Sequence, residues 1–194
     1  MQPIRAAAQF AAASHHGQRR KYSDEPYIRH PGRVAARVAQ LGVDPEVVAA
    51  AWLHDVVEDC DVSVAEVAQR FGLRVARLVD YLSEPPSVPG GPNRAARKAA
   101  YRRRLASLRG RDGAAAHTVK AADCLDNIPS IRDADPQFWK LYRRELMLLA
   151  DVLTMAHPDL LGRVAASAAR RGDSQLRVGG GDGGPSVAAG LFGH

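Results

Sequence analysis

The chain has 194 residues, with 27 Lys and Arg against 21 Asp and Glu and a formal net charge of +6. That length suits one domain able to bury a core without disulfides or a structural metal. Two cysteines are too few for a disulfide framework, and the apolar runs fall far short of the ~20 residues of a membrane span.

The N-terminus "MQPIRAAAQFAAASHH" lacks a secretory apolar region and cleavage site, so the expected location is cytoplasmic, with both thiols reduced. Net positive charge favours anionic partners without choosing among them. No row of aromatics alternates with the basic residues, so a single-strand nucleic-acid platform is not expected.

Ala, Leu, Arg and Val dominate and no period-two run of β-branched residues occurs, which predicts an all-α chain. A first helix closes at His15 and His16. "HPGRVAARVAQLG" carries Pro31 in its first turn and stops on Gly42. "DPEVVAAAWLHDVVED" offers Asp44 as N-cap and Pro45 at the first helical position. "SVAEVAQRFG" reads as a capping box of Ser63 and Glu66, ending at Gly72. Further helices are expected over Leu73 to Leu82, Arg94 to Leu108, Ala114 to Ile128, Pro136 to Ala156 and Asp159 to about Arg170. "SEPPSVPGGPN" between Ser83 and Asn93 reads as a mobile surface loop that could border a pocket. The Gly-rich segment 173–194 reads as a disordered tail.

The chemistry concentrates in "HDVVED", His54 to Asp59, which follows the apolar run "VVAAAWL" without a break. At 100° per residue, with His54 at zero, Glu58 falls near 40°, Asp55 near 100° and Asp59 near 140°. Trp52, Val56, Leu53, Val57 and Ala50 fill the opposite arc, so one face is polar and the other is core. Such a stripe is ordinarily solvated. Here adjacent His54 and Asp55 can converge on one cation, while Glu58 and Asp59, one turn on, could handle a water. Acidic groups at a helix C-terminus also oppose the macrodipole and call for a compensating positive charge.

A divalent metal needs more ligands than two. His30 in "PYIRHP" precedes a proline that would hold its backbone extended and let the ring point into a cleft. Asp123 in "VKAADCLDN" has Lys120 and Asn127 on the same helical side, at i−3 and i+4. His30, His54, Asp55 and Asp123 would give two imidazoles and two carboxylates with positions open for water. Nitrogen and hard oxygen donors without thiolate suit Mn²⁺, Fe²⁺ or Zn²⁺.

For an anionic substrate, "RAARKAAYRRRL" supplies Arg94, Arg97, Lys98 and Arg102 to Arg104 on one expected helix, though such a run is more often a solvated face. Lys120 is better placed, three residues before a presumed ligand. The remaining histidines take plain readings: His15 and His16 complement a helix dipole, and His117 and His157 are surface or packing residues. Trp139 and Tyr142, at helical spacing beside aliphatics, are expected in the core. Cys60 and Cys124 are poor nucleophile candidates.

At these residues the sequence resembles the HD superfamily of metal-dependent phosphohydrolases, and within it the hydrolase domains of RelA/SpoT-type alarmone enzymes and their small stand-alone relatives. "GQRRKYSDEPYIRHP", "AAWLHDVVED", "FGLRVARLVDYLSE" and "VKAADCLDN" match that family's motifs in order, over about Ala6 to Ile131. The resemblance implies a single compact HD-type helical domain over 1–172 and hydrolysis of the 3′-pyrophosphate of (p)ppGpp to GDP or GTP and pyrophosphate. It implies one metal, typically Mn²⁺, held by His30, His54, Asp55 and Asp123, with Glu58 and Asp59 positioning and activating the water. Arg20, Lys21 and Asn127 resemble residues around the nucleotide.

The match has departures. Pro129 stands where the alarmone enzymes usually carry an arginine and is expected to end its helix early. Ser130 takes the place of a frequent threonine, Cys124 replaces a basic residue, and "RKYSDEP" is one residue longer than the common form. These changes touch guanine recognition more than metal chemistry. Two other readings therefore stand beside the first: hydrolysis of another nucleotide, such as an adenine alarmone or NADPH, and a non-catalytic nucleotide-binding module. The intact pair Glu58 and Asp59 speaks against the last.

Overall fold

The computed structural model describes residues 2–85 and 88–169. The glycine-rich segment read as a tail therefore lies outside the described residues. Ten helices occur among them: α1 (Gln2–Ser14), α2 (Arg29–Ala39), α3 (Pro45–Leu53), α4 (Val56–Asp59), α5 (Val64–Phe71), α6 (Leu73–Leu82), α7 (Arg94–Ser107), α8 (Gly110–Ala134), α9 (Pro136–Ala150) and α10 (Pro158–Ala169). The one β-type pairing among them is an isolated bridge between Arg19 and Pro26. The all-α expectation is met.

Two helices form the centre. In α3 the run Val47 to Ala51 and Leu53 is buried, which is why it reads as apolar nearly all round. It packs against α1, α2, α6 and α8. α8 buries thirteen residues and touches α2, α3, α6, α7, α9 and α10, so its polar members at Asp123 and Asp126 are carried into the interior. Gly32 permits the α2–α3 crossing, because a Cβ there would stand 3.0 Å from the Trp52 ring.

Local signals hold in part. Ser63 Oγ accepts the Glu66 N–H at 3.1 Å, but the Glu66 carboxylate turns to Arg70 instead of closing the capping box. Asp44 sits at the N-cap of α3 without capping it; its carboxylate pairs with Arg74 and Arg111. The helix expected to run to Ala156 stops at Ala150.

Three differences bear on function. The helix expected over 44–60 breaks after Leu53, where Asp55 takes φ −102° and ψ −6°, and α4 restarts at Val56. His30 lies in the first turn of α2 and not on extended backbone, since a proline one place on is accommodated at a helix start. Pro129 does not end α8. It is exposed while Ile128 and Ile131 are buried on either side, so packing carries the helix past it to Ala134.

Candidate metal centre

Breaking the helix at His54 and Asp55 lets two adjacent side chains point to one place. The His54 Nδ1–H donates to the Ala51 carbonyl at 2.9 Å, which fixes the tautomer and leaves Nε2 facing the interior. Asp55 Oδ2 lies 3.1 Å from that Nε2 and 3.4 Å from His30 Nε2. Asp123 Oδ1 completes the group at 3.2 Å from His30 Nε2 and 3.9 Å from His54 Nε2. Four residues from α2, the α3–α4 break and α8 thus converge.

Electrostatics in this group favour positive charge at its centre. Burial opposes protonation of His30, yet hydrogen bonds to Asp123, Asp126 and Asp55 raise it to about 11. For His54 burial likewise works downward, and the Asp55 charge and Asp123 carry it up to about 9. Asp55 and Asp123 are held ionised against burial, well below the usual carboxylate range, by the facing histidines and, for Asp123, by Lys120. His54 Nε2 is buried without a hydrogen-bond partner. With Nδ1–H held by the Ala51 carbonyl, it is Nε2 that a neutral His54 would offer, and beside a second imidazole and two carboxylates it fits a divalent cation.

Three of the four, His30, Asp55 and Asp123, line a cavity of about 190 Å³, which brings most of the predicted residues together. Glu58, Asp59, Lys98, Arg102, Lys120 and Asn127 line it. The Glu58 carboxyl accepts the Glu84 N–H at 3.0 Å, and burial pushes it up to about 7. Asp59 is raised as well, by desolvation and the Asp55 charge. Lys120 Nζ pairs with Asp123 Oδ2 at 2.9 Å, and Asn127 Nδ2 donates to Asp123 Oδ1 at 2.6 Å, so both flank the same carboxylate.

Other predicted residues fall outside. Arg20 stands outside the cavity lining, donating to Asn127 Oδ1 at 2.9 Å and Ser130 Oγ at 3.3 Å and lying 6.0 Å from the centre of the Tyr27 ring. Lys21 is exposed over the Tyr22 ring and lies outside the cavity lining. On α7, Arg94 and Arg104 are taken by Glu145 and Asp80. Tyr142 and Trp139 are both half-buried against the core as expected, and Tyr142 also lines the cavity. His15 does not serve a helix dipole: it is buried, hydrogen-bonds Gln18 and stacks on Tyr27.

Sequence reasoning missed three partners. Tyr27 hydroxyl contacts Asp55 Oδ2 and Asp59 Oδ2, both at 2.8 Å, and so links a ligand position to the acidic pair. Its place three residues before His30 was the available signal, since one helical turn separates them. Glu84, from the proline-rich segment, lines the cavity and binds Lys98. Asp126 accepts from His30 Nδ1 at 2.8 Å, and its spacing of three from Asp123 on α8 pointed to the same face.

An all-helical fold with a two-histidine, two-aspartate cluster in a polar cavity defines a class, and the sequence matches the HD domain family over residues 7–151. The chain belongs to the HD domain family. Along most of its length it is similar to the human guanosine-3′,5′-bis(diphosphate) 3′-pyrophosphohydrolase MESH1, 36% identical over 140 residues that cover 71% of this chain and 74% of the relative. The Aquifex aeolicus guanosine-3′,5′-bis(diphosphate) 3′-pyrophosphohydrolase is 49% identical over 77 residues, and the match spans 40% of this chain but only 11% of that longer protein. A solved structure described as a metazoan ortholog of SpoT that hydrolyses ppGpp superposes with a TM-score of 0.74 at 27% identity, covering 86% of this chain and 94% of that one. Among the described residues, no helix is long and apolar enough to cross a membrane.

Proposed function

We propose that this chain is a metal-dependent hydrolase that removes the 3′-pyrophosphate of (p)ppGpp, yielding GDP or GTP and pyrophosphate. The observation that carries the reading is the convergence of His30, His54, Asp55 and Asp123 beside Glu58, in a chain similar to MESH1 over most of its length. These four residues would hold one divalent cation, which we take to be Mn²⁺ from the mix of imidazole and carboxylate donors. Bound there, it would supply Lewis-acid charge that acidifies water and offsets phosphate charge.

The protein's own groups do the rest. Glu58, raised by burial to about 7, accepts the proton of the attacking water near neutral pH. Asp59 shares Tyr27 with Asp55, an arrangement that keeps its carboxylate oriented to the same region. Water attacks the phosphorus attached to the ribose 3′ oxygen; the P–O3′ bond breaks, pyrophosphate leaves with the water oxygen, and the 3′ oxygen takes up a proton. Lys120 and Arg102 face the cavity as cations for the charge that develops on phosphate oxygens. Asn127, which accepts from Arg20 and donates to Asp123, would face the nucleotide from the cavity wall. Both cysteines are unpaired, consistent with a reducing, cytoplasmic setting.

Incubation with ppGpp and Mn²⁺, followed by chromatography of the nucleotides and a pyrophosphate assay, tests the reading. GDP and pyrophosphate in equal amounts, absent with Asp55→Ala, are expected. Turnover of NADPH with ppGpp left intact would refute the alarmone assignment and keep the phosphohydrolase site.

A further inference from the structure

His30 is the one imidazole of the centre that comes from outside the HD pair, and its ring is gripped from behind by charge. Its Nδ1–H donates to Asp126 Oδ2 at 2.8 Å. Arg33 Nε donates to Asp126 Oδ1 at 2.7 Å and Nη2 to Oδ2 at 3.0 Å. The far side of the same guanidinium binds both Glu25 oxygens, at 3.0 and 2.6 Å. The series Glu25, Arg33, Asp126, His30 thus runs from the 17–28 segment inward, with side chains 22%, 43%, 5% and 2% exposed.

We propose that Asp126 is a positioning residue for the metal centre, setting the tautomer and ring angle of His30 so that Nε2 is the nitrogen offered to the cation. This rests on the metal-site reading above. A neutral imidazole can carry its proton on either nitrogen, and a ring unrestrained about its second torsion presents either edge. The buried carboxylate removes both freedoms: an ionised Asp126 accepts only, so Nδ1 keeps its proton and Nε2 is the nitrogen that gives up its proton to bind a cation. Arg33 occupies both Asp126 oxygens, so the carboxylate itself has no freedom to swing, and Glu25 holds Arg33. Because Asp123 and Asp126 stand three apart on α8, one helix delivers both a ligand and the brace for a second ligand. A carboxylate behind a metal-bound histidine is worth about 10- to 100-fold in metal affinity.

The test measures Mn²⁺ affinity by calorimetry in the wild type, Asp126→Asn, Arg33→Gln and Asp55→Ala, with thermal melts of the metal-free proteins. In parallel, ¹⁵N histidine spectra of the proteins loaded with diamagnetic Zn²⁺ report which His30 nitrogen keeps its proton. Asn keeps the shape of Asp but loses its charge and its obligate acceptor role. The expected result is about 10- to 100-fold weaker Mn²⁺ binding in Asp126→Asn, a smaller loss in Arg33→Gln, and loss of the single Nδ1–H tautomer at His30. Affinity within about twofold of wild type with that tautomer retained, whatever happens to the melt, would leave Asp126 a merely structural residue and overturn the proposal. Unchanged Mn²⁺ binding in Asp55→Ala would instead remove the metal-site reading and the positioning role with it.

Discussion

Glu58→Gln isolates proton transfer from folding. Glu58 makes one hydrogen bond within the protein, accepting the Glu84 N–H through Oε2, and a glutamine carbonyl oxygen can keep it. The substitution therefore removes a base at nearly constant shape. A positioned general base contributes about 10²- to 10⁴-fold, or roughly 3 to 5 kcal/mol of barrier, so kcat should fall by that factor while the melting temperature stays within a degree or two. The pH profile sharpens the test. A carboxylate base works only when ionised, so wild-type kcat/KM should rise with pH through its pKa. Burial lifts that value from 4.5 to about 7, and a bound cation draws it back down, which places the acid limb between those two values. Initial rates of pyrophosphate release from ppGpp between pH 5 and pH 9, for both proteins, provide the assay. A Gln variant within about threefold of wild type, with the same acid limb, would refute Glu58 as the base.

Other consequences concern the scaffold around the site. Tyr101, 1% exposed, donates its hydroxyl to the Leu82 carbonyl at 2.8 Å. Tyr101→Phe leaves that buried carbonyl unpaired and should cost about 1 to 3 kcal/mol, lowering the melting temperature by several degrees in calorimetry; an unchanged melt would contradict the bond's importance. Pro129→Ala restores an N–H inside α8 at an exposed position and should stabilise by about 1 to 3 kcal/mol in urea titrations, whereas a loss would show that the proline is needed there. Cys124, buried with its thiol pushed up to about 12, should not react with a disulfide reagent at pH 8 until the protein is unfolded, while half-exposed Cys60 should react slowly in the native state. Rapid labelling of both thiols would contradict that burial.

The four proposed ligands were legible because their chemistry is carried by residue type and by short motifs. Helical periodicity placed Asp123, Lys120 and Asn127 on one face, and α8 keeps them there. It could not place the break after Leu53, since each residue from Val47 to Leu53 fits a helix and the interruption comes from tertiary packing around His54. Pro129 misled for the opposite reason: a strong local breaker is overruled by two buried isoleucines. Tyr27 and Asp126 left only a spacing of three from His30 and Asp123 as a signal, and Glu84 left none, because the partners that define their roles lie 28, 96 and 26 residues away. The basic run of α7 was ambiguous for the same reason, as Glu145 and Asp80 claim some of its arginines while Lys98 and Arg102 face the cavity.

The central claim is that one cation, held by His30, His54, Asp55 and Asp123, is required to release pyrophosphate from ppGpp. Stripping the protein with a chelator, then titrating Mn²⁺ back while following GDP and pyrophosphate, addresses it most directly. Activity that is absent in the stripped protein and saturates at one equivalent per chain is the predicted result. Full turnover by the stripped protein, or none after one equivalent has bound, would contradict it.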